Sequence, residues 1–227
     1  MTETNGGRTA LIAGASGLVG GLLLKRLLAA PQYERVMAVT RRRLAIEDTK
    51  LRQIALDFDT LDTALAGIER VDDAFCALGT TIRKAGSEGE FRKVDHDYVL
   101  AFARAAKQAG ARRFLLVSAI GANSRSRIFY SRVKGETEEA VAALGFPAFH
   151  VFRPGLLLGA RSERRPAEAA FMALTPLINP LLQGPAKIYR GISADAVAAA
   201  MIEAAKTPPA GRRLHTYAGM ISLAAKA

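Results

Sequence analysis

Short apolar runs alternate along this chain with longer stretches in which apolar side chains recur every three or four residues, from near the amino terminus to about residue 152. Runs at 9–13, 35–40, 51–56, 73–78, 113–118 and 148–152 are rich in Val, Ile, Leu and Phe and read as buried strands. Between them, 18–29 reads as a helix closed before Pro31. The stretch 88–109 places Phe91, Val94, Tyr98, Val99, Phe102 and Ala106 on one side of a long helix that stops at Gly110. A further helix runs from Tyr130 to Leu144, where Gly145 and Pro147 break it. Strands and helices alternating through residue 152 predict an α/β protein whose parallel sheet is covered on both faces by right-handed connections.

After residue 152 the character changes. Sequence rich in Pro and Arg fills 153–183, a strand is predicted at 187–192, and a helix follows from Ser193, whose hydroxyl suits the cap and whose Asp195 suits the first turn. The stretch 169–186 carries no charge. Its prolines, with Asn179, Gln183 and Gly184, interrupt it too often for a membrane-spanning helix. It reads as a lid over a substrate site or a cover for the core, ahead of a homodimer contact and, last, peripheral membrane attachment. Residues 222–227 read as a loose tail. The expectation is one domain over 1–227, with a nucleotide-binding core at 8–152 and a small substrate or lid portion at 153–227.

Composition narrows the function classes. A formal net charge of +11 favours anionic partners, but the arginine clusters at 41–43, 112–113, 164–165 and 212–213 are scattered, and no zinc-finger or basic-zipper spacing is present. Nucleic acid is therefore not the expected partner. The histidines His96, His150 and His215 lack metal-ligand spacing, so no metal is expected. His96, between Asp95 and Asp97, reads as part of a solvated helix start. The single cysteine, Cys76, lies in an apolar run; with disulfides within the chain excluded, a reducing, cytoplasmic setting is expected. Residues 9–24 are uncharged but carry periodic glycines and lack a basic flank, which argues against a signal peptide.

Those glycines carry the first chemical signal. Gly14, Gly17 and Gly20 stand between the first strand and the first helix, where a tight turn, close backbone approach and tight helix–strand packing would cradle a diphosphate at the helix start. Ser16, Leu18 and Val19 complete the turn and the first helical residues. This placement makes the sheet a Rossmann-like doubly wound one. In such sheets the end of the second strand meets the adenosine ribose; here it holds Arg41 and Arg42 and no acid, which predicts NADPH or NADP, with NADH the second choice. Asp57 and Phe58 are expected to border the adenine, and Leu78 and Gly79, with Thr80 and Thr81, the path toward the nicotinamide. Thr80 and Thr81 also suit simple turn chemistry.

The second signal is Tyr130 with Lys134 one helical turn later, on one helix face. A free tyrosine titrates near 10, so it exchanges protons with a carbonyl or alcohol only with help, and a neighbouring ammonium favours its phenolate. Ser118, at the end of the fifth strand, is placed to donate a hydrogen bond to a substrate oxygen. Read more plainly, Tyr130 packs its ring, Lys134 pairs with Glu138 at i,i+4, and Ser118 satisfies a strand-end group.

The stretches GASGLVG (14–20), FCALGTTIRKAGSEGEFRKVDHDYV (75–99), YSRVKGE (130–136) and VFRPGLLLG (151–159) resemble the atypical short-chain dehydrogenase/reductases of the Tat-interacting-protein-like branch, over about residues 8–205. The resemblance implies a Rossmann fold, NADPH binding and a Ser-Tyr-Lys site, with Pro154, Gly155 and Leu156 beside the nicotinamide and Arg41 and Arg42 at the 2′-phosphate. This chain departs from it at Ser118-Ala119, where relatives tend to have two serines, and at Asp95, near the place of an asparagine often catalytic in the superfamily. The short region after Pro154 argues against a large sugar-nucleotide pocket. Two functions follow: an NADPH-dependent oxidoreductase for a small carbonyl or alcohol, or a non-enzymatic NADP(H) sensor that acts through a protein partner.

Overall fold

The structure is a computed structural model and describes residues 7–68, 70–159, 188–208 and 210–227. In chain order, β1 (Arg8–Ala13) leads into α1 (Leu18–Ala29), and β2 (Tyr33–Thr40) is followed by β3 (Leu51–Ala55) and the short α2 (Leu61–Ala64). After β4 (Asp73–Cys76) come the short α3 (Ile82–Ala85) and α4 (Glu88–Arg92), one wide π turn at Lys93–Asp97 and α5 (Tyr98–Gln108). The chain continues through β5 (Arg113–Val117), α6 (Phe129–Ala142), β6 (Ala148–Phe152) and the two-residue strands β7 (Leu157–Leu158) and β8 (Ile192–Ser193). It closes with α7 (Ala194–Lys206), β9 (Gly211–His215) and α8 (Tyr217–Ala224).

Seven parallel strands form one sheet in the order β3-β2-β1-β4-β5-β6-β9, a Rossmann-like α/β fold, while β7 and β8 form a small separate pair. The order reverses between β1 and β4, so the crevice at their carboxyl ends is the natural place for a ligand. Alternate residues of each strand feed opposite faces. Ala10, Ile12, Phe75, Leu115 and Phe152 pack under α1 and α7, whereas Leu11, Ala13, Ala74, Cys76, Leu116 and Val151 pack under α5 and α6. Burial on both faces explains why the inner strands read as continuous apolar runs.

Three predicted features differ. The helix expected over 88–109 is interrupted by the π turn, which inserts an extra residue and swings Asp95 fully inward. Of the strand expected at 187–192, the described residues 188–193 form only Ile192–Ser193. The expected tail is helical through Ala224, because Met220 is fully buried and anchors α8. Residues 211–215, which no hydrophobic pattern announced, extend the main sheet alongside β6, and α7 packs against α1. The uncharged stretch 169–186 lies outside the described residues.

Candidate functional site

Gly14 has φ +87, a left-handed conformation, and a Cβ there would lie 2.5 Å from the Ala77 backbone. Gly17 donates its N–H to the Gly14 carbonyl at 2.9 Å, and Gly20 seats the first turn of α1 so closely that its Cβ would come within 2.0 Å of the Gly14 oxygen. A side chain is thus excluded at 14 and 20, which lets the backbone turn tightly into the start of α1, the geometry that receives a diphosphate. Ser16, Gly17, Leu18 and Val19 line a cavity of about 790 Å³ that also holds Ser118, Tyr130 and Lys134. A second lobe of about 610 Å³ shares Ser16, Gly17 and the 77–80 strand end with the first and reaches Thr40 and Arg41 at the end of β2 and Phe58 just after β3. Together they form one groove across the carboxyl ends of β2, β1, β4 and β5.

The expected adenosine residues divide. Arg41 and Phe58 line the second lobe; Arg42 is exposed and lines neither lobe. Asp57 is spent on local structure, its carboxylate accepting from the Asp59 N–H at 3.0 Å. Leu78, Gly79 and Thr80 line both lobes and Thr81 the first, where its hydroxyl also caps α3 by accepting from the Lys84 N–H. Pro154, Gly155 and Leu156 line neither lobe: the Ile120 and Ile192 N–H groups bond to the carbonyls of Pro154 and Leu156, and it is Leu157, Leu158 and Gly159 that border the cavity.

Tyr130 and Lys134 descend from the first turns of α6. That helix is pinned at Gly135, where a Cβ would meet the Asn123–Ser124 backbone at 2.1 Å, so the loop leaving β5 crosses in contact with it. Tyr130 is half-buried against the Phe91 ring, with centroids 5.4 Å apart. Lys134 is buried, and its Nζ lies 2.7 Å from Asp95 Oδ1, not on Glu138. The other Asp95 oxygen accepts from the Thr80 N–H at 2.8 Å, and the Thr137 hydroxyl on α6 donates to the Asp95 carbonyl. Burial by itself favours a neutral Lys134 amine; the Asp95 carboxylate, with Tyr130, outweighs it and holds the ammonium above the ordinary lysine range. The solvated acid expected at 95 is therefore a buried partner of the lysine.

Ser118 reaches the cavity, but its hydroxyl donates to Glu138 Oε1 at 2.6 Å rather than standing free to donate to a substrate oxygen. Glu138, fully buried on α6, also accepts from Arg153 Nε at 2.8 Å and Nη2 at 2.6 Å, and from Arg212 Nη2 at 2.9 Å. Sequence reasoning missed Asp95, Arg153 and Arg212 as members of this site. The departure from asparagine at position 95 was the only local signal among them. Cys76 is buried beneath Lys134, and burial pushes its thiol up to about 12, leaving it inert.

Fold and groove together define a nucleotide-binding Rossmann protein. Residues 14–164 match the family described as NAD(P)H-binding, and the chain belongs to that family. It is 43% identical over 164 residues to the rat Protein HTATIP2, covering 71% of this chain and 67% of that one. It is 39% identical to the mitochondrial Protein fmp52 of Emericella nidulans, over 70% of each chain. Identity with the Aspergillus fumigatus protein of the same name is 36%, over 92% of this chain and 94% of that one. These relatives place it in the Tat-interacting-protein-like branch. In fold alone it is similar to a Burkholderia thailandensis oxidoreductase of the short chain dehydrogenase/reductase family, with a TM-score of 0.64, 23% identity and coverage of 89% and 86%. It is likewise similar to MoeE5 in complex with UDP-glucose and NAD, with a TM-score of 0.66, 17% identity and coverage of 96% and 81%. Both fungal relatives are named mitochondrial, which corrects the cytoplasmic expectation. A lone buried cysteine reports the absence of disulfides, and several compartments satisfy that.

Proposed function

We propose that this chain is an NADP(H)-dependent oxidoreductase that transfers hydride to or from a small carbonyl or alcohol. The observation that carries the reading is a single groove in which the glycine turn, Tyr130 and Lys134 all face the same space. Bound there, the dinucleotide supplies or accepts the hydride. The 14–20 turn would hold the diphosphate with backbone N–H groups, and Arg41, with Arg42 beside it in the chain, would meet a 2′-phosphate. Lys134, kept charged by Asp95, would hold the ribose and the phenol of Tyr130, which exchanges the proton at the substrate oxygen. Ser118, its proton directed to Glu138, can offer its lone pairs to a hydroxyl of the substrate.

Tyr130→Phe is expected to lower turnover of a responsive carbonyl by about 10²-fold or more. NADPH binding should change by no more than about twofold. Arg41→Ala and Arg42→Ala should weaken NADPH by about tenfold and leave NADH unchanged. Full turnover in Tyr130→Phe rejects the chemistry, and equal affinity of the native protein for both nucleotides rejects the phosphate assignment. The same Ser118–Glu138 bond, with Ala119 beside it, favours a second reading: a binding protein without turnover that reports NADP(H) to a partner. A purified protein that binds NADPH tightly yet oxidises it with no carbonyl in a broad panel would select that reading.

A further inference from the structure

Asp95 raises a question that the proposed chemistry leaves open. The usual case for a lysine beside a catalytic tyrosine is that its charge draws the phenol toward phenolate. Here that charge sits 2.7 Å from a fully buried carboxylate whose other oxygen accepts from the Thr80 N–H, while the Thr137 hydroxyl of α6 holds the Asp95 backbone carbonyl. At this depth water screens neither charge well, so the pair acts on its surroundings as a dipole rather than as a cation. The wide π turn produces this arrangement by turning Asp95 inward from the start of α5.

We infer that Asp95 is a positioning residue that fixes Lys134 and offsets its charge at Tyr130, setting the site to give a proton to a carbonyl oxygen rather than to take one from an alcohol. In that direction the phenol O–H breaks and a new O–H forms on the substrate. The carbonyl carbon meanwhile receives hydride from the reduced dinucleotide, so the carbonyl is reduced and the dinucleotide oxidised. The surroundings of Tyr130 are consistent with control by this pair. Its own helix contributes Lys134, the π turn Asp95, α4 the uncharged Phe91 ring, and the end of β5 Ser118. From β4, Cys76 faces Lys134 as a neutral thiol. Arg92 and Glu136 are paired with each other between α4 and α6, and across the cavity Lys84, Lys25 and Asp195 complete its charged lining.

The inference rests on the proposed role of Tyr130 for its direction, but its test needs neither cofactor nor substrate. The tyrosinate absorbance of the full chain is titrated with pH, and the titration of the matching Tyr130→Phe protein is subtracted to isolate Tyr130. Asp95→Asn keeps the shape and an acceptor for the Thr80 N–H, but without the carboxylate burial also draws the proton from Lys134, so the decisive comparison carries no lysine. Lys134→Met should move the Tyr130 midpoint up by about one pH unit, the size of effect a nearby charge exerts, and adding Asp95→Asn to Lys134→Met should bring it back down. An unmoved or lowered midpoint in Lys134→Met, or no difference between the two Lys134→Met proteins, overturns the inference. Loss of turnover in Tyr130→Phe with a moved midpoint supports both readings; a moved midpoint with full turnover in Tyr130→Phe overturns the catalytic role of the phenol, and with it the proton direction.

Discussion

Glu138 concentrates more of the site's energetics than the residues whose spacing first drew attention. It gathers one hydroxyl and two guanidinium groups on a carboxylate with no solvent exposure, so each partner is satisfied only while the others are in place. Glu138→Leu is expected to destabilise the protein by about 3–5 kcal/mol in chemical denaturation, because it leaves Arg153 and Arg212 without their counter-charge. Ser118→Ala, which removes one donor among several, should cost only about 1 kcal/mol. Tyr130, Lys134 and Gly14 were legible because their signals are local: one helical turn, or one obligatory positive φ. Glu138 was not. Its i,i+4 spacing suggested Lys134, yet the side chain turns to arginines from β9 and the end of β6, and Lys134 turns to Asp95. Which of two carboxylates a buried lysine meets is decided by packing, and no interval along the chain encodes it.

Among the elements, strands buried on both faces were read to within about two residues at either end, since each is an uninterrupted apolar run. The segment Gly211–His215 escaped because it is an edge strand of exposed arginines, with neither alternation nor an apolar run to mark it. The π turn escaped for a different reason: an extra residue in a helix leaves the apolar spacing on both sides nearly intact. The start of α7 was legible, since Ser193 accepts from the Ala196 N–H at 3.1 Å and Asp195 sits in the first turn, where Arg26 of α1 grips it at 2.8 Å. Ser193→Ala is therefore expected to lower stability by about 1 kcal/mol, measured by thermal or denaturant unfolding.

The whole molecule carries a net charge of +11, and its stability should respond to acid through a pair of histidines. His150 on β6 stacks on His215 of β9, with Nδ1 and Nε2 2.9 Å apart. Burial, then His215 and the arginines at 213 and 113, lowers His150 from the usual 6.5 to about 4. The fold thus favours the neutral ring, while the unfolded chain takes up its proton first. The contribution is intact above pH 6.5 and is lost as pH falls from 6.5 toward 4, by on the order of 2 kcal/mol. Replacing His150 with Phe should flatten this part of a stability profile measured by denaturant unfolding across that range. The fold class was legible at this level because alternation of strands and helices constrains topology strongly. The compartment was not, because composition reflects redox chemistry more than address.

Arg212 lies on the outermost strand, near the carboxyl terminus, and its far end touches the carboxylate that orients a hydroxyl in the groove. The margin of the sheet and the mouth of the cavity are accordingly joined by two bonds through a single glutamate. A change that peels the last strand from β6 would take one of that glutamate's partners away, and would be felt at Ser118 before it reached the glycine turn.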